Sequence, residues 1–148
     1  MGTKKIELTT EQYRNLVKLI YLGHWMANSH RDEPLPELEQ VENYIYSCAG
    51  QFGSGDLVDG EPDTGKYFPS VELEDEMDSI LEEYDDYTFW DELSWRLADR
   101  DFDRKYDPAR AIVMTSEEIF REKDHFVQKY VKEFNAHGID NVVLKTLK

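Results

Sequence analysis

Residues 115–138 read TSEEIFREKDHFVQKYVKEFNAHG, and this stretch predicts one complete amphipathic helix. Thr115 and Glu118 form a capping box, in which each side chain bonds to the other residue's backbone N–H. At the other end, His137-Gly138 is typical of a helix C-terminus, because glycine adopts the left-handed conformation without strain. The apolar side chains between these ends form one stripe: Ile119, Phe120, Phe126, Val127, Tyr130, Val131 and Phe134. Such a stripe must be buried against another element, so the helix requires helical partners.

Two further helices are predicted in the first third of the chain. Thr9 and Gln12 form a second capping box in front of a helix over about 10–30. Pro36 is well placed in the first turn of the next helix, which we expect to end near Gly53. The apolar face predicted for this second helix is Leu38, Val41, Ile45, Cys48, Ala49 and Phe52. The short connection between the two helices favours an antiparallel hairpin.

The middle of the chain predicts two more helical segments. Ser70 starts a helix with an apolar face, and Thr88 begins another after the pair at 85–86 interrupts the pattern. The alternative is one long bent helix over the same residues. Residues 99–110 are predicted to form a polar connection.

Together these segments predict a mainly all-α fold, a bundle of about five helices in a single domain over residues 1–148. Residues 53–69 are rich in glycine and aspartate and are predicted to form a long acidic loop. The tail over 139–147 is rich in β-branched residues, which favours a short extended segment.

The charge of the chain is concentrated in one quarter of it. The 148 residues contain 32 acidic and 17 basic side chains, a formal charge of −15. Residues 56–92 contain 15 of the acids and a single base, Lys66. Such a field repels nucleic acid and anionic membrane and favours basic proteins or cations as partners.

The remaining composition suggests a soluble cytoplasmic protein without a cofactor. The single cysteine, Cys48, cannot form an intramolecular disulfide, and no apolar stretch is long enough to span a membrane. The four histidines lack the spacing of zinc ligands, and no phosphate-binding glycine loop occurs. No catalytic, metal-binding or cofactor-binding residue can therefore be assigned.

Residues 71–92 are the most unusual part of the sequence, because they contain 11 acidic side chains and no base. Three interpretations remain open: a mimic of nucleic acid, a docking surface for a basic protein, or a solvated helix face. Aromatic residues lie beside these acids, and an aromatic centre with a charged rim is typical of protein interfaces. The predicted partner-binding residues are Glu74, Asp75, Asp78, Glu82, Asp85, Asp86, Tyr87 and Trp90.

The favoured hypothesis is a non-enzymatic interaction protein in which the acids steer a basic partner while Tyr87 and Trp90 anchor it. One alternative is a metal-assisted enzyme whose carboxylates converge with His24, His30 or His125. A second alternative is a structural or homo-oligomeric subunit.

Overall fold

The computed structural model describes residues 2, 4–61 and 63–143. Within these ranges the protein is mainly α-helical, as predicted, with a small antiparallel sheet inserted before the longest helix. The elements are, in chain order, α1 (Thr10–Asn28), α2 (Pro36–Ser47), two 3₁₀ turns (Ala49–Phe52 and Gly55–Leu57), β1 (Val58–Glu61), β2 (Lys66–Pro69), α3 (Val71–Lys105), α4 (Pro108–Ile112) and α5 (Ser116–His137).

Both predicted capping boxes are confirmed. Thr9 and Gln12 exchange side-chain and backbone hydrogen bonds of 2.9 and 3.2 Å at the start of α1. Thr115 and Glu118 do the same at the start of α5, at 2.8 and 3.2 Å. Gly138 follows α5 with a φ of 54°, which confirms the glycine C-cap. These termini follow from local chemistry, so the sequence defines them well.

The chain divides into two compact units, Met1–Glu82 and Glu83–Lys148, with the boundary inside α3. In the first unit, α1, α2, both 3₁₀ turns and the start of α3 share one apolar core. Its buried members are Tyr13, Val17, Tyr46, Ala49, Leu57, Leu73 and Met77. The prediction of a single domain over the whole chain stays a prediction.

The predicted apolar face of the second helix is confirmed over its second half. Four of the six predicted residues lie in or against the core of the first unit: Ile45, Cys48, Ala49 and Phe52. Leu38 and Val41 are exposed instead, whereas Tyr46, which was not predicted, is almost completely buried. Helix α2 itself ends at Ser47, and the chain continues to Phe52 as a 3₁₀ turn.

The acidic segment predicted as a loop contains regular structure instead. Strands β1 and β2 pair in register from Val58 with Pro69 to Glu61 with Lys66. The preceding 3₁₀ turn is tied to α1 by a bidentate ion pair of 2.8 and 2.9 Å between Arg14 and Asp56. This guanidinium lowers the pKa of the Asp56 carboxyl, because the hydrogen bonds favour its charged form.

The predicted break between a third and a fourth helix is wrong, and the alternative of one long helix is the one observed. Ser70 caps α3 by accepting the N–H of Leu73 at 3.2 Å, which confirms the predicted start. The helix then runs through 85–86 and through Thr88 to Lys105, so much of the polar connection predicted over 99–110 is helical. Exposed acidic side chains do not interrupt the backbone hydrogen bonds of a helix, and α3 therefore continues through them.

In the second unit, the later part of α3 packs against α5. Ala98, Phe102, Val127 and Phe134 are its buried apolar side chains. An ion pair of 2.8 Å joins Lys123 to Asp99 across the two helices. The short helix α4, which the sequence did not predict, is capped by Asp107.

The C-terminal tail begins with turns rather than with the predicted extended segment. The N–H of Asp140 donates to the carbonyl of His137 at 3.1 Å, and that of Val142 donates to Ile139 at 2.9 Å. The predicted segment beyond Val143 lies outside the described residues.

In the part of the chain that the structure describes, no helix combines the length and the apolar character needed to cross a membrane.

We predict that Thr115→Ala lowers the free energy of unfolding by about 1 kcal/mol, because the N–H of Glu118 loses its acceptor. Urea unfolding followed by circular dichroism measures this change. Ser116→Ala is the matched control, since Ser116 begins α5 but its exposed side chain caps nothing. Equal losses in the two variants would contradict a specific role of the cap.

Candidate functional site

The predicted acidic residues are exposed in both units. In the first unit, all four predicted acids of α3 are exposed: Glu74, Asp75, Asp78 and Glu82. Their neighbour Glu76 forms an ion pair with Lys18 of α1. In the second unit, Asp85 and Asp86 are exposed as well. The sequence therefore placed these carboxylates correctly on the surface.

The two predicted aromatic anchors have different environments. The Tyr87 side chain is 69% exposed. The Trp90 ring is only partly exposed, with its centroid 5.3 Å from that of Phe134 in the core of the second unit. Its indole N–H donates to the Asp86 carboxylate at 3.0 Å. Trp90 is therefore a packed residue that orients Asp86, whereas Tyr87 is the more solvent-exposed of the two side chains.

Two more exposed aromatic residues of α3 were not among the predicted anchors. Tyr84 is three residues from Tyr87 and shares its face of the helix, whereas Phe89 is two residues from Tyr87 and lies on nearly the opposite side. Tyr84 is 46% exposed and Phe89 is 53% exposed. The Phe89 ring stacks edge-on against Trp90, with ring centroids 4.9 Å apart. The signal in the sequence was the number of aromatic residues in this stretch, which exceeds what one helix face can bury.

A cleft of about 610 Å³ lies in the first unit, between α1, α2 and the hairpin formed by strands β1 and β2. Side chains three and four residues apart share one face of a helix, which places Tyr21, His24 and Trp25 of α1 along one wall. Helix α2 contributes Glu39 and Glu42 to the lining. Strand β2 and the first turns of α3 complete the lining with Lys66, Tyr67, Phe68, Pro69 and Glu74.

Asn43 fastens the hairpin to α2 at the edge of this cleft. Its amide Nδ2 donates to the carbonyl of Gly65 at 3.3 Å, and its Oδ1 accepts the N–H of Tyr67 at 2.9 Å. Gly65 has a φ of 65°, a conformation that side chains disfavour, so glycine permits this turn. One side chain thus positions the aromatic residues of β2.

His24, Glu42 and Tyr46 form a partly buried polar cluster in the wall of the cleft. His24 Nε2 lies 3.5 Å from Glu42 Oε2, too far for a well-formed hydrogen bond. The Tyr46 hydroxyl is close to Glu42 but also lacks a partner of good geometry. Burial raises the pKa of Glu42 more than His24 and Tyr46 lower it. The Glu42 carboxylate is therefore partly desolvated and incompletely paired.

Carboxylates also surround the Tyr21 hydroxyl. Burial raises the pKa of this phenol, and the charges of Glu74, Asp78 and Glu42 raise it further. Negative charge nearby disfavours a tyrosinate, so the direction of this shift reports a negative potential in the cleft. Glu74 thus belongs both to the predicted acidic stretch and to the cleft lining.

The cleft contains only part of the set of residues that the hypothesis of a metal-assisted enzyme requires. His24 meets carboxylates in the cleft, whereas His30 does not line it and His125 belongs to the second unit. Within residues 2, 4–61 and 63–143, no three His, Cys, Asp or Glu side chains are arranged to hold a metal ion.

A second cavity of the first unit, of about 670 Å³, is largely apolar. It lies between the N-terminal half of α1 and the end of α2, where Leu16, Ile45 and Phe52 contribute to its lining. Cys48 also lines it, half-buried, with its thiol 3.4 Å from the carbonyl of Tyr44.

Comparisons with protein families, with curated proteins and with solved structures gave no match to this chain.

We predict that Asn43→Ala speeds amide hydrogen exchange at Tyr67, because that N–H loses its acceptor. Exchange followed by NMR measures the effect residue by residue. Gln40→Ala is the matched control, since it also removes an amide side chain from α2 but leaves the hairpin bonds intact. Unchanged exchange at Tyr67 in Asn43→Ala would contradict this role.

We also predict that Glu42→Gln gains stability relative to the wild type as pH rises from about 4 to 7. The raised pKa of Glu42 means that the folded state holds this proton more tightly than the unfolded state. The stability that protonated Glu42 confers is therefore lost as pH rises through the pKa that Glu42 has in the folded state. Glutamine does not titrate, so the variant does not lose stability in this way. Urea unfolding of both proteins across this range measures the difference. The control is Glu37→Gln, which removes an exposed carboxylate of the same helix that does not act on Glu42. A difference that is independent of pH would contradict the prediction.

Proposed function

We propose that this protein is a non-enzymatic interaction protein that binds a basic partner protein. Recognition is assigned to a docking patch of the second unit, defined as Tyr84, Asp85, Asp86, Tyr87 and Trp90. The acids of α3 in the first unit, Glu74, Asp75, Asp78 and Glu82, contribute long-range attraction.

The exposure of Tyr87 is the observation that supports this proposal most. Its side chain is 69% exposed, and the exposed Tyr84, three residues earlier, shares its face of α3. Large aromatic side chains are stabilised when they leave water, so two of them together on one face favour an interface. A helix face that only contacts solvent would not require exposed aromatic side chains.

The charges around these aromatic residues support the same proposal. Among the described residues, no lysine, arginine or histidine forms an ion pair with Asp85 or Asp86. The two carboxylates therefore keep their capacity for a cationic partner. Asp86 is in addition held in place by the indole N–H of Trp90, which reduces the entropy lost on binding.

The roles of the two predicted anchors now differ. Tyr87 supplies apolar area to the partner, whereas Trp90 maintains the shape of the patch through its packing on Phe134. Replacing Trp90 would also weaken the core of the second unit, so binding is better tested at Asp85, Asp86 and Tyr87.

We predict that the variant Asp85→Lys/Asp86→Lys loses about ten-fold or more of its partner capture, because like charges then face each other. The measurement is affinity capture from lysate of the source organism with quantitative mass spectrometry. Capture by the wild type should weaken as salt rises, since exposed charges are screened.

Asp103→Lys/Asp140→Lys is the matched control, because both variants change two exposed acids of the second unit and alter the net charge equally. Tyr87→Ala separates the aromatic contribution from the charge. Circular dichroism verifies that each variant is folded. Equal capture by both charge variants would show non-specific attraction and would overturn the docking patch.

A further inference from the structure

The cleft of the first unit combines aromatic walls with carboxylates. Tyr21 and Trp25 of α1 and Tyr67 and Phe68 of β2 contribute rings, and the volume of about 610 Å³ is in the range of small-molecule sites. Glu39, Glu42 and Glu74 contribute carboxylates. Lys66 is the one lysine or arginine in this lining as far as the described residues show.

Glu42 is the carboxylate with the clearest need for a partner. Its side chain is 15% exposed, and Nε2 of His24 lies 3.5 Å from its Oε2. A desolvated carboxylate that is incompletely paired costs stability, and a cation with two parallel N–H donors relieves that cost. The cleft is open beside this side chain, so a ligand can reach it.

A guanidinium fits this combination better than other ions. It is planar, it bonds a carboxylate with two parallel N–H groups, and it stacks on aromatic faces because it is weakly hydrated. An ammonium ion has the same charge but holds its water more tightly and lacks the fork geometry. An anion would meet three carboxylates in the lining.

We propose that this cleft binds a guanidinium group carried on a short aliphatic chain, with Glu42 and Glu74 as its carboxylate partners and Trp25 and Tyr67 as its aromatic contacts. The proposal goes beyond the docking function, because it concerns the first unit and uses none of the docking patch. Each proposal can therefore fail without the other.

Isothermal titration calorimetry with n-butylguanidinium, a guanidinium on a four-carbon chain, tests the proposal. We expect saturable binding with shifts of the Trp25 indole and Tyr67 amide NMR signals. The double variant Glu42→Gln/Glu74→Gln should weaken binding about ten-fold or more, because charge-assisted hydrogen bonds are lost. The matched control Glu7→Gln/Glu11→Gln removes two exposed carboxylates of the same unit away from the cleft and should bind as the wild type does.

Three further probes define the chemistry. N-butylurea, which has a similar shape without charge, should not bind, and n-butylammonium should bind about ten-fold more weakly than n-butylguanidinium. The capped tripeptide acetyl-Gly-Arg-Gly-amide distinguishes the source of the guanidinium. Binding at least as tight as that of n-butylguanidinium assigns it to an arginine of a protein, whereas weaker binding assigns it to a free small molecule.

Several results would overturn the proposal. These are the absence of binding by both n-butylguanidinium and the tripeptide at about 1 mM, equal binding of the ammonium probe, or equal losses in the two double variants. Circular dichroism of Glu42→Gln/Glu74→Gln, together with the single variant Glu74→Gln, separates lost binding from lost folding. The Asp85→Lys/Asp86→Lys variant should bind n-butylguanidinium normally.

Discussion

The burial of Tyr13 is the interaction on which the first unit depends. Its hydroxyl donates to the carbonyl of Ile45 near the end of α2, and its ring stacks on Phe52 with centroids 4.2 Å apart. The carbonyls of a last helical turn have no partner within their own helix, so this bond satisfies one that would otherwise lack a donor. It joins α1, α2 and the following 3₁₀ turn in one contact.

The cleft follows from that contact. Once α2 lies against α1 with Tyr46 buried, Glu42 falls one turn away on the same face and becomes partly desolvated. Asn43 is then directed to the hairpin, which brings Tyr67 to the same place. The polar cluster is thus a consequence of how the two helices pack. The free energy that its desolvated, incompletely paired carboxylate costs the folded state is compatible with a binding role.

The parts of the fold that could be predicted are those determined by neighbouring residues. Capping boxes and the glycine after α5 depend on groups three or four positions apart, and both were correct. The predicted face of α2 was correct only from Ile45 onwards and omitted Tyr46, because periodicity alone does not reveal which side chains meet a neighbouring helix. The hairpin over Val58–Pro69 was missed because its strands are only four residues long and it is held by a distant side chain, Asn43.

The same distinction applies to the candidate sites. Exposed acids on one helix are evident from composition, and the sequence located them. The cleft brings together residues of α1, α2, β2 and α3, so no local pattern could indicate it. The separation of Tyr87 from Trp90 also required tertiary information, since the position of Phe134 decides which ring is covered.

The buried tyrosines give the first unit an optical property of its own. Burial raises the pKa of Tyr13 to about 12 and raises that of Tyr46 as well, so both phenols resist ionisation while the fold persists. Tyrosinate absorbance from these two rings is therefore coupled to opening of the core. Alkaline solution then acts as a denaturant of this unit, because the unfolded chain releases the phenolic protons that the folded chain retains.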